Sequence, residues 1–174
     1  KKGISLTGPV PPKTKITPHW RACLDDLYRS YDGCCAYLGV SFERTTGAGS
    51  VDHFIAKSQL AGKAYEWDNY RLACSVMNSR KRAFDDVLDP FSIGPGWFHL
   101  ELFSGRVFPN PSLTTPIKQE VQATIDRLKL DDPGNREMRA RHFLEYISHE
   151  YTDSFLERRS PFVWYEAHRQ GLTI

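Results

Sequence analysis

Residues 51–58 read VDHFIAKS, an aspartate and a histidine side by side within an apolar run, with a lysine four positions after the histidine. Val51, Phe54 and Ile55 predict a short buried strand. Such a strand has no packing use for a carboxylate and an imidazole at its centre, so Asp52 and His53 are the first candidates for chemistry. Adjacent strand residues point to opposite faces. The two side chains therefore need a bend or a flanking loop to converge on one substrate group.

The surroundings supply further groups. QLAGKAYEWD (59–68) reads as loop, and NYRLACS (69–75) as a second strand with Tyr70, Leu72 and Cys74 on one face. NSRKRAFDDVL (78–88) reads as a helix with Arg80, Lys81 and Arg82 in its first turn, stopped by Asp89-Pro90. Upstream, CCAYLGVSFERTTGAGS (34–50) reads as a turn-rich hairpin with a polar loop. A strand–loop–strand–helix unit can gather Asp52, His53, Asn69 and Asn78 on one small surface.

Phosphodiester hydrolysis calls for this set. A neutral imidazole with an ordinary pKa of about 6.5 can take a proton from water near neutral pH. Asp52 offers an anionic oxygen and Asn78 an amide oxygen. Hard donors of this kind suit Mg²⁺ or Mn²⁺ better than zinc. Asn69 is placed to orient the loop or the imidazole. Lys57, Arg80, Lys81 and Arg82 are candidate phosphate contacts, the last three helped by an expected helix N-terminus.

The stretch VDHFIAKS…WDNYRLACSVMNSRK resembles the HNH nuclease family over residues 34–91. The resemblance implies a ββα-metal core with His53 as general base and Asn69 as the middle Asn. It implies Asp52 and Asn78 as ligands of one divalent cation. It also implies a metal-dependent endonuclease acting on DNA, with RNA as an alternative. Members of the family serve as cutting subunits of bacterial restriction or anti-phage systems, commonly beside an ATPase, so such a partner is an expectation here. Many members carry two CxxC pairs around a structural zinc. The matching stretches here are Cys35-Ala-Tyr-Leu38 and Cys74-Ser-Val-Met77, each with a single thiol, so no structural zinc is expected and Leu38 and Met77 are expected to pack together instead.

Taken singly, each piece has a plainer reading. Asp52-His53 could be a surface pair, Asn78 a helix cap, and Arg80-Lys81-Arg82 a solvated face. Their order is what makes the pattern specific. His19, His99, His142, His149 and His168 have no acidic or cysteine partner at ligand spacing and are expected to be structural or exposed. Two rival functions stay open: a catalytically silent nucleic-acid-binding module, and a partner-gated effector subunit.

Composition sets the frame. The chain has 174 residues, 40% hydrophobic and 13% aromatic, enough for a packed core. A net charge of +2 neither favours nor excludes nucleic acid. No apolar run reaches the length of a membrane span and no charged-then-apolar leader opens the chain, so no membrane association is expected. The start at Lys1 without Met points to processing or trimming. Four cysteines without a CxxC pair suggest a reducing, cytoplasmic setting.

The expected class is α+β, a ββα-metal core with an N-terminal helix, a C-terminal β-hairpin and a helical extension. Residues 1–16 read as an extended arm, 17–110 as the nuclease core with its flanking helix and hairpin, and 111–174 as helices packed on that core. Thr17-Pro18 opens a helix carrying Trp20, Cys23, Leu24, Leu27 and Tyr31, closed by Asp32-Gly33. Residues 97–110 form a hairpin turning at Ser104-Gly105. Helices are expected over 115–128 and, as one long element, over 135–159 with Met138, Leu144, Ile147, Tyr151 and Phe155 inward. A short helix ends the chain.

Overall fold

A computed structural model describes residues 5–174, so the first four positions of the expected arm lie outside the described residues. The chain is α+β: seven α-helices and two antiparallel two-stranded sheets among the described residues. None of the described helices is long and apolar enough to cross a membrane. Two compact units emerge, Lys1–Ala36 with Phe42–Asp85, and Tyr37–Ser41 with Asp86–Ile174.

The first unit is built on β1 (Gly49–His53) and β2 (Tyr70–Cys74), paired antiparallel with Val51 opposite Leu72, Asp52 opposite Arg71 and His53 opposite Tyr70. The period of two sorts the side chains. On one face, Val51, Tyr70 and Leu72 pack against Trp20, Leu24, Leu27, Tyr28 and Phe42. These come largely from a short 3-10 helix (His19–Cys23) and α1 (Leu24–Ser30). Asp32 and Gly33, with φ of 48° and 68°, end that segment where the sequence places its stop. The other face carries Ser50 and Asp52 towards α3 (Ser75–Lys81), whose Asn78 and Lys81 reach them.

Two local expectations change here. Residues 34–50 form no pair of strands beyond a single bridge closed by the Phe42 N–H donating to the Gly33 carbonyl at 3.0 Å; the polar Arg44-Thr45-Thr46-Gly47 run lacks the alternating apolar residues of a strand and coils into a one-turn helix, α2 (Arg44–Gly47). The α3 helix begins directly after β2, three residues before the expected start. Arg80 and Lys81 consequently stand in its last turn, Arg82 caps it at φ 50°, and the expected helix over 82–88 is irregular.

The second unit holds the hairpin, β3 (Phe98–Glu101) paired with β4 (Arg106–Pro109). Its Leu100 and Leu102 share a core with Phe143, Tyr146, Leu156, Val163 and Ala167. The hairpin therefore belongs with the C-terminal helices, whereas the expected division at residue 110 places it with residues 17–96. Gly105 turns it at φ 67°, and a Cβ there would collide with the backbone carbonyl of Arg136. Buried Arg139 donates to the Gly105 carbonyl at 2.9 Å and the Leu130 carbonyl at 2.7 Å, fixing that turn.

Helices α4 (Thr115–Leu128), α5 (Pro133–Ile147), α6 (Asp153–Arg159) and α7 (Pro161–Arg169) complete the unit. The expected single helix over 135–159 is thus two. His149 adopts φ 60°, and Thr152 restarts the helix by accepting the Phe155 N–H. The inward face also differs: Leu144 and Phe155 are exposed, while Arg139, His142, Phe143 and Tyr146 are buried. Glu166, fully buried on α7, accepts the Leu100 N–H at 2.8 Å and pairs with Arg169, tying α7 to the hairpin.

His142 gives this unit an acid sensitivity. Burial, with help from Arg159, pushes its pKa down from 6.5 to about 4. The unfolded chain therefore takes up a proton at a pH where the folded one does not, so stability is full above about 6.5 and falls as pH drops towards about 4. The expected loss is about 3 kcal/mol across that window. Urea unfolding of the protein and of His142→Gln at pH 7 and pH 4 measures it. The substitution should flatten that part of the acid slope, and an unchanged slope would locate the sensitivity elsewhere.

Candidate functional site

The end of β1 is where the candidate residues gather. His53 is buried on the aromatic face, with Trp20 edge-on at 4.8 Å and Tyr70 at 5.3 Å between ring centroids. Its Nε2 lies 2.9 Å from the carbonyl oxygen of Ala64, which also accepts the Tyr70 hydroxyl at 3.0 Å. A carbonyl only accepts, so Nε2 carries the hydrogen and the neutral ring keeps its lone pair at Nδ1. Burial lowers the His53 pKa; the Ala64 bond opposes that, and the Lys57 charge adds to it. The imidazole is therefore neutral at pH 7 and able to accept a proton.

Asn69 works on the same loop. It closes a short 3-10 helix (Trp67–Asn69) immediately before β2 and is buried. Its Oδ1 accepts the Ile55 N–H at 2.8 Å, and its Nδ2 donates to the carbonyls of Ile55 and Lys63, both at 2.9 Å. One amide thereby pins the chain just after His53 to the residue just before Ala64. It orients the imidazole through the Ala64 carbonyl, with no bond to the ring itself.

Asp52 and Asn78 lie on the opposite face, in the seam between β1 and α3. Asn78 Nδ2 donates to Ser50 Oγ at 2.9 Å, and that hydroxyl donates to the Ala73 carbonyl at 2.9 Å. Asp52 is 4% exposed, and Lys81 Nζ stands 3.3 Å from its Oδ2. The structure thus brings Asp52, Asn78 and Lys81 together on one side of β1 and His53 and Asn69 on the other. The expected gathering of Asp52, His53, Asn69 and Asn78 on one surface is therefore not met: β1 stays paired through both Asp52 and His53, and its alternation sends them to opposite faces, joined only by the backbone of residues 52–55.

Lys81 corrects the sequence expectation. As a phosphate contact it would need an exposed ammonium, yet the residue is 0% exposed. Its Nζ donates to the carbonyls of His53 at 3.2 Å and Phe54 at 2.9 Å, in addition to facing Asp52. The expected helix N-terminus beneath Arg80-Lys81-Arg82 is also absent, because these residues stand at the C-terminal end of α3. Cations there complement the helix dipole. Arg82 is exposed, with Nε donating to the Ser79 carbonyl at 3.1 Å, and Arg80 is half-buried. Lys57 lies against Trp20, its Nζ 5.0 Å from the ring centroid, on the same side as His53.

Sequence reasoning missed three contributors. The Ala64 carbonyl fixes the imidazole, Ser50 holds Asn78, and Arg71 stands opposite Asp52 in the ladder with its guanidinium bonded to the carbonyls of Asp68 and Tyr70. A backbone carbonyl leaves no side-chain signature, and the other two roles depend on register. In donor type, Asp52 and Asn78 fit a hard divalent cation, one carboxylate and one amide oxygen, with water and phosphate oxygens to complete the shell. No group of three or more His, Cys, Asp or Glu suited to a metal occurs among the described residues.

No protein-family model and no curated protein matches this chain.

Proposed function

We propose that the first unit is an HNH-type ββα-metal nuclease centre and that the protein is a metal-dependent endonuclease hydrolysing DNA phosphodiester bonds. The observation that carries this reading is the Nε2–Ala64 hydrogen bond, which leaves Nδ1 of a neutral, buried His53 as proton acceptor at the end of β1. Support also comes from the order β1, β2, α3, with Asp52 on the first element and Asn78 on the last. In this reading His53 takes the proton of the attacking water, and Asn69 holds the loop that orients it. Asp52 and Asn78 would hold Mg²⁺ or Mn²⁺, which when bound supplies positive charge for the scissile phosphate and the leaving oxygen. Lys57, Arg80 and Arg82 remain the proposed backbone contacts. Membership of a bacterial defence system, with an ATPase partner, rests on the family resemblance alone and forms the finest part of the proposal.

One observation favours a second reading, a catalytically silent nucleic-acid-binding module. Asp52 already faces the Lys81 ammonium at 3.3 Å and stands across from Arg71, so cations border the carboxylate without any metal. Nicking of supercoiled plasmid in Mg²⁺ or Mn²⁺, with a chelator lane, separates the two. The nuclease reading expects relaxed or linear product that chelation abolishes. Retarded plasmid with no product in either metal supports the silent module.

A further inference from the structure

Cys35 and Cys74 lie 39 positions apart in sequence and meet beside β2. The Ala36 N–H donates to the Leu72 carbonyl at 2.8 Å, laying residues 35–36 along the strand. The Cys74 N–H points at Cys35 Sγ at 3.4 Å, and the two thiol side chains are themselves hydrogen-bonded. Cys35 is buried at 1% exposure, whereas Cys74, the last residue of β2, is half-buried and reachable from solvent. Cys34 is turned to a different partner, its sulfur donating to the Cys35 carbonyl at 3.8 Å. Cys23 packs into the aromatic cluster beneath the sheet.

We propose that Cys35 and Cys74 form an oxidisable dithiol, with Cys74 the residue attacked by a low-molecular-weight disulfide and Cys35 the one that resolves the adduct into an intrachain disulfide. This goes beyond the nuclease reading and does not depend on it. The Cys74 thiolate attacks one sulfur of glutathione disulfide, breaking its S–S bond and releasing one glutathione thiolate. Cys35 then loses its proton and attacks the Cys74 sulfur, and the second glutathione leaves. The two protein thiols give up two electrons and two protons, and glutathione disulfide becomes two thiols. Local chemistry supports this order. The Cys35 hydrogen bond and the N–H groups of Met77 and Val76 draw the Cys74 pKa down to about 6, while burial and the Asp32 charge push Cys34 up to about 11. The thiolate is the attacking species, so Cys74 reacts first at neutral pH.

The bond would close a loop containing β1 and β2, and with them His53 and Asn69. Its test uses the full chain, equilibrated with glutathione disulfide at pH 7, then alkylated, digested and mapped by mass. The expected result is a fall from four titratable thiols to two, a mass lower by about two units, and a cross-linked peptide pair joining residues 35 and 74. Before oxidation, Cys74 should alkylate at least about tenfold faster than Cys34. Cys34→Ser should still form the link and Cys74→Ser should not. The map of the unsubstituted protein decides alone if a variant misfolds. Four thiols remaining, a link through Cys34, or arrest at glutathione on Cys74 would each overturn the proposal.

Discussion

Replacing Lys81 with methionine should lower the unfolding free energy by about 3–5 kcal/mol, the cost of removing one partner from a buried ion pair. The ammonium is fully buried and serves three acceptors, Asp52 Oδ2 at 3.3 Å and the carbonyls of His53 and Phe54 at 3.2 and 2.9 Å. Methionine keeps the length of the side chain and fills much of its space. Most of the loss therefore comes from the ammonium's three contacts, to one carboxylate and two carbonyls, rather than from lost packing. Urea unfolding measures it, and the double variant Asp52→Asn/Lys81→Met should regain part of it because the carboxylate no longer faces the vacated ammonium position as a charge. A surface phosphate contact would behave differently. Its removal would change stability by less than about 0.5 kcal/mol and reduce the salt dependence of DNA binding by about one phosphate. That second pattern would return Lys81 to the role its sequence context suggests.

The contrast marks where sequence reading stops. The strands read at 51–58 and 69–75 form at 49–53 and 70–74: Tyr70 and Leu72 alternate about Arg71 and Val51 pairs with Leu72, whereas Phe54 and Ile55 continue the apolar run past the last paired residue, His53. The burial of Asp52 and His53 was legible because polar residues stand out in an apolar run, whereas Asn69, between Asp68 and Tyr70, was legible only by its order in the pattern. Lys81 was not. A lysine between two arginines reads as solvated, and its true surroundings are backbone carbonyls nearly thirty residues earlier in the chain. The start of α3 was hidden because β2 passes into it with no glycine, proline or capping side chain at the boundary. The break between α5 and α6 was hidden for the opposite reason: apolar residues continue through 147–156, and only the left-handed backbone at His149 and the Thr152 cap interrupt the helix. Arg139 and His142 then misled the assignment of the inward face, since both are polar side chains that the fold buries.

His53→Ala should reduce the metal-dependent cleavage rate by about 10²–10⁴, the usual contribution of a positioned general base. The imidazole is also a packing element, 7% exposed between Trp20 and Tyr70, so a lost rate alone would not separate chemistry from structure. Two further readouts do. Urea unfolding of the variant shows whether β1 and β2 remain paired at the assay temperature. Free imidazole, added in increasing concentration, should occupy the space beside Trp20 and restore part of the rate, because the Ala64 carbonyl and the Tyr70 ring that position the native ring are still in place. Asn69→Ala should respond in another way. It keeps the imidazole but frees the Ile55 and Lys63 backbone groups that hold the loop, so its rate should fall without imidazole rescue. If His53→Ala cleaves at the unsubstituted rate while remaining folded, the proton acceptor lies elsewhere. The tautomer fixed at Ala64 would then be a feature of packing, and the nuclease reading would lose the observation on which it rests.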